Sequence, residues 1–149
     1  MKKPLIAVVD WKQSPRGDER CYIERGAIGN RATVQYFLCD KPKDWKGELL
    51  KADVVLLWHN TNMPDTVINK LENCKAIVRI GTGYDSVDHV TAATRDIAVC
   101  NVPDYGTDEV ADHSIALALA LCRQIGPVRQ VPGGSHQSPE RPPAERNPR

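Results

Sequence analysis

The sequence predicts an α/β fold: a doubly wound, parallel sheet of five strands. Two observations carry that prediction. Four apolar runs of strand length, rich in β-branched residues, occupy 5–9, 53–58, 76–80 and 97–102, with a fifth, weaker run at 33–38. Segments of helical length lie between them, at 20–29, 45–51, 65–73 and 86–94. Short buried strands alternating with helices indicate a parallel sheet covered on both faces. Five strands so connected suit a flavodoxin-like domain, whose ligands sit beyond the carboxyl ends of the strands.

A longer helix follows at 107–125. Its centre, IALALALC, alternates large and small residues as a strand would, yet Ala and Leu are strong helix formers and the run exceeds a typical strand. Thr107 reads as its N-cap, Asp108 and Glu109 suit the positive end of the helix dipole, and Arg123 suits the negative end. From Ile115 to Cys122 it is apolar around most of its circumference, so it expects burial on several sides. From Gly126 onward the chain reads GPVRQVPGGSHQSPERPPAERNPR, with no hydrophobic periodicity and a composition that cannot bury a core. That segment is read as a disordered tail, with a flexible proline-rich arm as the functional alternative and a frameshift as one origin. The expected organisation is a domain over 1–106, a crossing helix over 107–125 and a tail over 126–149.

Composition narrows the function classes. A formal charge of +1 over 149 residues offers no basic face for nucleic acid or an anionic membrane surface. No apolar run approaches the roughly 18 residues of a membrane span. The five cysteines are widely spaced without a CxxC pair, so neither a disulfide framework nor a zinc site is expected, and the chain reads as cytoplasmic. The basic start MKKPLIAVVD runs into Asp10-Trp11-Lys12 with no small-residue cleavage site, which argues against a signal peptide.

Chemistry concentrates in Arg79-Ile80-Gly81-Thr82-Gly83-Tyr84. Gly81 and Gly83 follow a strand directly, where backbone N–H groups can be presented without side-chain obstruction, and Arg79 can add a charge-assisted contact to a carboxylate or phosphate. An ordinary tight turn beside a surface arginine accounts for the same residues. A dinucleotide fingerprint matches two of three glycines, with Asp104 after the next strand. Against it stand Ser86 in place of the third glycine, the negative charge of Asp85, and the three strands that precede the unit. Asn101-Val102-Pro103-Asp104-Tyr105-Gly106 ends the last strand and brings Asn101 and the start of the long helix, 107–110, to the same edge. As a turn and cap it needs no ligand. His59-Asn60 follows the third strand on that edge and is a further lining candidate. No serine or cysteine nucleophile has an identifiable base, and neither a receiver aspartate nor a flavin phosphate loop is present.

Taken in order, VRIGTGYDSVDHVTAATRDIAVCNVPDYGTDEVADHSIALALALCR resembles the NAD-dependent D-isomer-specific 2-hydroxyacid dehydrogenases, and its Asn-Val-Pro-Asp-Tyr-Gly wording is most similar to bacterial members named after the C-terminal-binding-protein corepressors. The resemblance is dense over 75–125 and looser over 1–74. It implies that the flavodoxin-like segment is the substrate domain and that the long helix crosses into a separate Rossmann domain. It further implies that Arg79 and the backbone of Gly81, Thr82 and Gly83 hold the carboxylate of a small 2-hydroxy or 2-keto acid, with His59 beside them. Thr82, Asn101 and Val110 would face the NAD cofactor, and Asp112 would be structural. The family's GxGxxG loop and its catalytic Arg, Glu and His come after the crossing helix, where this sequence has the proline-rich segment. The expectation is therefore a substrate half, inactive alone, with no catalytic and no metal-binding residue of its own. The alternatives are a module that dimerises or aggregates through 107–125, and a non-functional fragment.

Overall fold

A computed structural model of the chain describes residues 3–14 and 21–125. The segment read as a tail, 126–149, lies outside the described residues. By internal contacts the chain divides into two units, Met1–Gly106 and Thr107–Arg149.

The first unit is built on five parallel strands, β1 Leu5–Asp10, β2 Thr33–Leu38, β3 Val54–Leu57, β4 Ala76–Arg79 and β5 Ala98–Cys100. Their order is β2-β1-β3-β4-β5, the flavodoxin-like arrangement. Register explains the core. Ala7, Val55, Ile77 and Val99 are paired in sequence across four strands, as are Val9 and Leu57. Because strand side chains alternate faces, these residues share one face. They pack with Trp45, Leu49, Val67, Ile68, Leu71 and Ala92 in one hydrophobic cluster, Val99 from its margin. The opposite face is less completely covered. Val8 is buried there, whereas Ile6, Leu56 and Val78 are half-buried. Burial on both faces was expected from the apolar strands, and among the described residues only one face reaches it fully.

The connecting segments are shorter and more irregular than their lengths suggested. Helix α1 spans Tyr22–Ile28. The stretch at 45–51 is not an α-helix. Residues Gly47–Lys51 form a 3-10 turn entered through Gly47 at φ +62°, a conformation that suits glycine and interrupts helical continuity. Helix α2 is a single turn, Asp65–Ile68. The Arg95 guanidinium binds the carbonyls of Ile68, through Nη1, and Leu71, through Nη2 at 2.7 Å, the Ile68 carbonyl also accepting from Leu71 N–H at 3.1 Å. Helix α3 begins at His89 instead of Ser86, because 86–88 pair with Met63 and Asp88 caps the helix by accepting from Thr91 N at 2.9 Å.

The second unit contributes helix α4, Thr107–Cys122. Its end is chemically defined. Ile125 N–H donates to the Ala120 carbonyl at 2.8 Å, Gln124 N–H donates to Leu121, and Gln124 sits at φ +55°. This is the Schellman pattern, with glutamine where glycine is usual. The side chains of Ile115, Leu117, Leu119 and Leu121 are 60%, 53%, 59% and 79% exposed. Odd-numbered neighbours on a helix diverge by about 200°, so this apolar surface surrounds α4 and forms no single stripe.

Candidate functional site

The carboxyl edge of the sheet gathers the ends of β1, β3 and β4. Leu57 and Arg79 are register partners and Ile80 N–H donates to the Leu57 carbonyl at 2.8 Å, so the segments that continue past them, 58–60 and 80–83, leave the sheet side by side. His59 is exposed there, with its ring 6.0 Å from that of Trp58. Asn60 takes φ +60°, the left-handed conformation that Asn tolerates better than most residues, which lets the chain turn immediately after His59.

The glycine loop has a defined internal geometry. Gly81 adopts φ +150°, and its N–H donates back to the Arg79 carbonyl at 3.0 Å. Arg79 folds over it. Nη1 donates to the Ile80 carbonyl at 2.5 Å, and a Cβ on Gly81 would overlap Nη1 and lie 3.1 Å from Cζ. Arg79 Nε is buried and has no acceptor among the described residues. Thr82 and Gly83 are exposed, and their backbone N–H groups make no hydrogen bond among the described residues. The loop therefore offers two successive open amides beside a guanidinium, while the Gly81 amide is already engaged.

Asn101 and Val102 hold this loop from the side of β5. Asn101 Nδ2 donates to the Thr82 carbonyl at 2.7 Å, and Val102 N–H donates to the Gly81 carbonyl at 3.1 Å. The amide nitrogen of Asn101, expected to face a cofactor, is thus committed to the loop itself. Val110 lies on α4 in the second unit and is exposed.

Sequence reasoning passed over one polar network on the same edge. Asp10 ends β1 at 2% exposure; its carboxylate accepts from Trp11 N–H at 2.9 Å, Ser14 Oγ at 2.6 Å and Tyr36 Oη at 3.0 Å. An acid closing an apolar strand was the available signal, but its partner Tyr36 is visible only once β1 and β2 are in register. Nearby, Trp58 Nε1 donates to Glu24 at 3.1 Å. These contacts fix the loop after β1 and the α1 position. Two surface hollows do not compete as carboxylate sites. One, at the amino edge, is lined by Lys3, Gln35, Lys51 and Asp53, and Lys51 is bonded there to Glu48 at 3.0 Å. The other is lined by Asp65, Asp85 and Asp88 and would repel an anion.

The family profile of the D-isomer specific 2-hydroxyacid dehydrogenase catalytic domain matches residues 6–138. The chain belongs to this family. The match extends past Gly126 into the proline-rich segment. Hydroxypyruvate reductase of Blautia hydrogenotrophica is 40% identical over 80 residues, covering 54% of this chain and 24% of the reductase. C-terminal-binding protein 1 of Caenorhabditis elegans is 28% identical over 123 residues, covering 82% of this chain and 16% of that protein. Among solved structures, the NADPH-dependent glyoxylate/hydroxypyruvate reductase of Sinorhizobium meliloti in complex with citrate superposes with a TM-score of 0.62 at 27% identity, over 83% of this chain and 37% of that one. The chain therefore spans a quarter or less of these two curated relatives. The five-stranded parallel α/β fold and the family resemblance drawn from 75–125 agree with these likenesses.

Proposed function

We propose that this chain is the substrate-binding portion of an NAD(P)-dependent oxidoreductase acting on CH–OH donors, and that its glycine loop holds the carboxylate of a small 2-hydroxy or 2-keto acid. The observation that carries this reading is the pair of open N–H groups at Thr82 and Gly83 beside the Arg79 guanidinium, at the carboxyl edge of a doubly wound sheet. Successive backbone N–H groups form an anion nest, and a guanidinium adds a charge-assisted donor. His59, on the adjoining segment, is the neighbouring polar side chain available to the rest of the substrate. Fixing the carboxylate fixes the C2 atom, which is the positioning that hydride transfer requires.

The loop does not suit the diphosphate of a dinucleotide. The Gly81 N–H is engaged, the guanidinium covers that glycine, and Asp85 adds negative charge two residues beyond Gly83. We therefore place the main cradle for NAD or NADP outside the described residues. A nicotinamide, when bound, supplies the hydride; the contribution of this chain is to bind and orient the acid. Among the described residues no group of His, Cys, Asp and Glu is placed to hold a metal ion.

Titrating the isotope-labelled 149-residue protein with pyruvate and D-lactate tests this reading. The expected result is a saturable shift of the Thr82 and Gly83 amides, absent with chloride. If those amides stay still while the protein is folded, the carboxylate reading fails. The same polypeptide is expected not to oxidise NADH with 2-keto acids, and sustained turnover would overturn that part. A second reading is favoured by the exposed Ile115, Leu117, Leu119 and Leu121: a module that pairs through α4. Sedimentation at micromolar concentration decides it, since a stable monomer excludes self-association and aggregation identifies an unprotected fragment surface.

A further inference from the structure

We propose that Asn101 and Val102 are positioning residues that set the direction of both anion-binding amides. The inference rests on the carboxylate reading above and extends it to residues that do not touch the ligand. Each trans peptide carries its C=O and N–H on opposite sides of one rigid plane, and among the described residues no peptide bond is cis. The Thr82 carbonyl and the Gly83 N–H belong to one such plane. Anchoring the carbonyl to Asn101 Nδ2 at 2.7 Å turns the Gly83 N–H away from Asn101. The Gly81 carbonyl and the Thr82 N–H belong to the preceding plane. Val102 N–H, 3.1 Å from that carbonyl, turns the Thr82 N–H away from Val102. Two hydrogen bonds from consecutive residues thus orient two consecutive donors away from the 101–102 segment.

The local sequence accounts for this arrangement. Val102 precedes Pro103, which favours an extended backbone at Val102 and carries the chain onward beside the loop after β5 ends at Cys100. Proline donates no N–H, so the strap ends at Val102. Without the Asn101 amide, the 82–83 peptide is held only through its neighbours. The surroundings leave it room to rotate: Gly83 is exposed, and a Cβ added there would meet only Asp85 Oδ2, at 3.6 Å. Rotation costs ligand affinity before it costs fold stability, since Thr82 and Gly83 are exposed and outside the core cluster.

Two variants of the full chain test the strap. Asn101→Ala removes the side chain, and Asn101→Leu keeps its volume while removing the donor. Both are expected to weaken pyruvate binding about three- to tenfold, the range that follows from one lost hydrogen bond. The pyruvate-induced shift of the Gly83 amide should shrink, while the spectra of α3 and the melting temperature stay close to wild type. Affinity within twofold of wild type in either folded variant overturns the inference while leaving the carboxylate reading intact. If wild type itself does not respond to pyruvate, the reading fails first. In wild-type protein, a scalar coupling across the Asn101 Nδ2–Thr82 carbonyl bond reports the strap without any substitution, and its absence with pyruvate bound also overturns it.

Discussion

Replacing Gly81 with alanine probes the loop most directly, because two costs can be assigned from the structure. The first is backbone strain. Gly81 sits at φ +150°, where an L-residue is held at a cost of about 1–3 kcal/mol. The second is collision. The added Cβ overlaps Arg79 Nη1, with Cζ at 3.1 Å and Nη2 at 3.4 Å. That obstacle is the far end of a flexible side chain, so it swings aside instead of unfolding the loop. Swinging breaks the Nη1 bond to the Ile80 carbonyl, a loss of about 1 kcal/mol. Together the two terms predict destabilisation of roughly 2–4 kcal/mol, which for a domain of this size lowers the melting temperature by roughly 10–20 °C. Gly83→Ala is the internal control. Its Cβ meets only Asp85 Oδ2 at 3.6 Å, and its φ is not in the left-handed region, so alanine should be neutral or stabilising by about 0.4–1 kcal/mol through the unfolded chain. Thermal melts should therefore fall for Gly81→Ala and stay level or rise for Gly83→Ala. Arg79→Ala removes the same Nη1 bond, so the double variant should cost less than the sum of the two single variants, a non-additive result. A Gly81→Ala protein melting within about 2 °C of wild type would refute this account of the loop.

Three further outcomes follow from other parts of the molecule. The Lys12 ammonium, 3.0 Å from Asp44, joins the N–H groups of Asp40 and Lys41 in holding the Asp44 carboxyl down at about 2, from an ordinary 3.8. Since the folded value is depressed, this contribution to stability is complete above pH 3.8 and is lost as pH falls through about 2. Carboxyl NMR titration should find that midpoint, and Lys12→Met should raise it without restoring 3.8, because both backbone donors remain. A thiol reagent at pH 8 should label Cys100 and Cys122 in the native protein and spare Cys21, Cys39 and Cys74 until it unfolds. Burial pushes the Cys39 thiol up to about 12, so it should be among the slowest to react, and rapid native labelling of Cys39 would contradict the packing. Finally, Arg95→Met should cost about 1–3 kcal/mol by leaving the Ile68 and Leu71 carbonyls without their guanidinium donors, read as a lower midpoint in urea.

What was legible in the sequence, and what was not, divides along the range of the interactions involved. Strands are announced locally, by β-branched apolar runs, and all five lie where those runs placed them: β1 is one residue longer, β2 coincides, and β3, β4 and β5 are trimmed at their ends. Their order follows once alternating helices require crossovers. The short connections escaped because distant residues decide them. Ser86 looks helical beside 89–94, but Met63 bridges Val87 from another loop and bonds to Ser86 and Asp88, so the helix starts only at His89. The stretch at 45–51 has helical length, yet Gly47 in the left-handed region limits it to a 3-10 turn.

The site divides in the same way. Arg79, Gly81, Thr82 and Gly83 are contiguous, so their shared position at the end of β4 could be read directly. Asn101 lies 19 residues beyond Thr82, and its orientation depends on β5 running parallel to β4. Before that register is known, an asparagine after a strand is as readily assigned to a ligand as to a neighbouring carbonyl. Structure also separates the two glycines that sequence treats alike. Gly81 is required by its own φ and by the guanidinium above it. Gly83 is required by neither, so any demand for glycine there has to come from what approaches the loop from outside. A small side chain at 83 tolerated by the fold but not by pyruvate binding would locate that approach at the Gly83 amide, where the strap from Asn101 directs it.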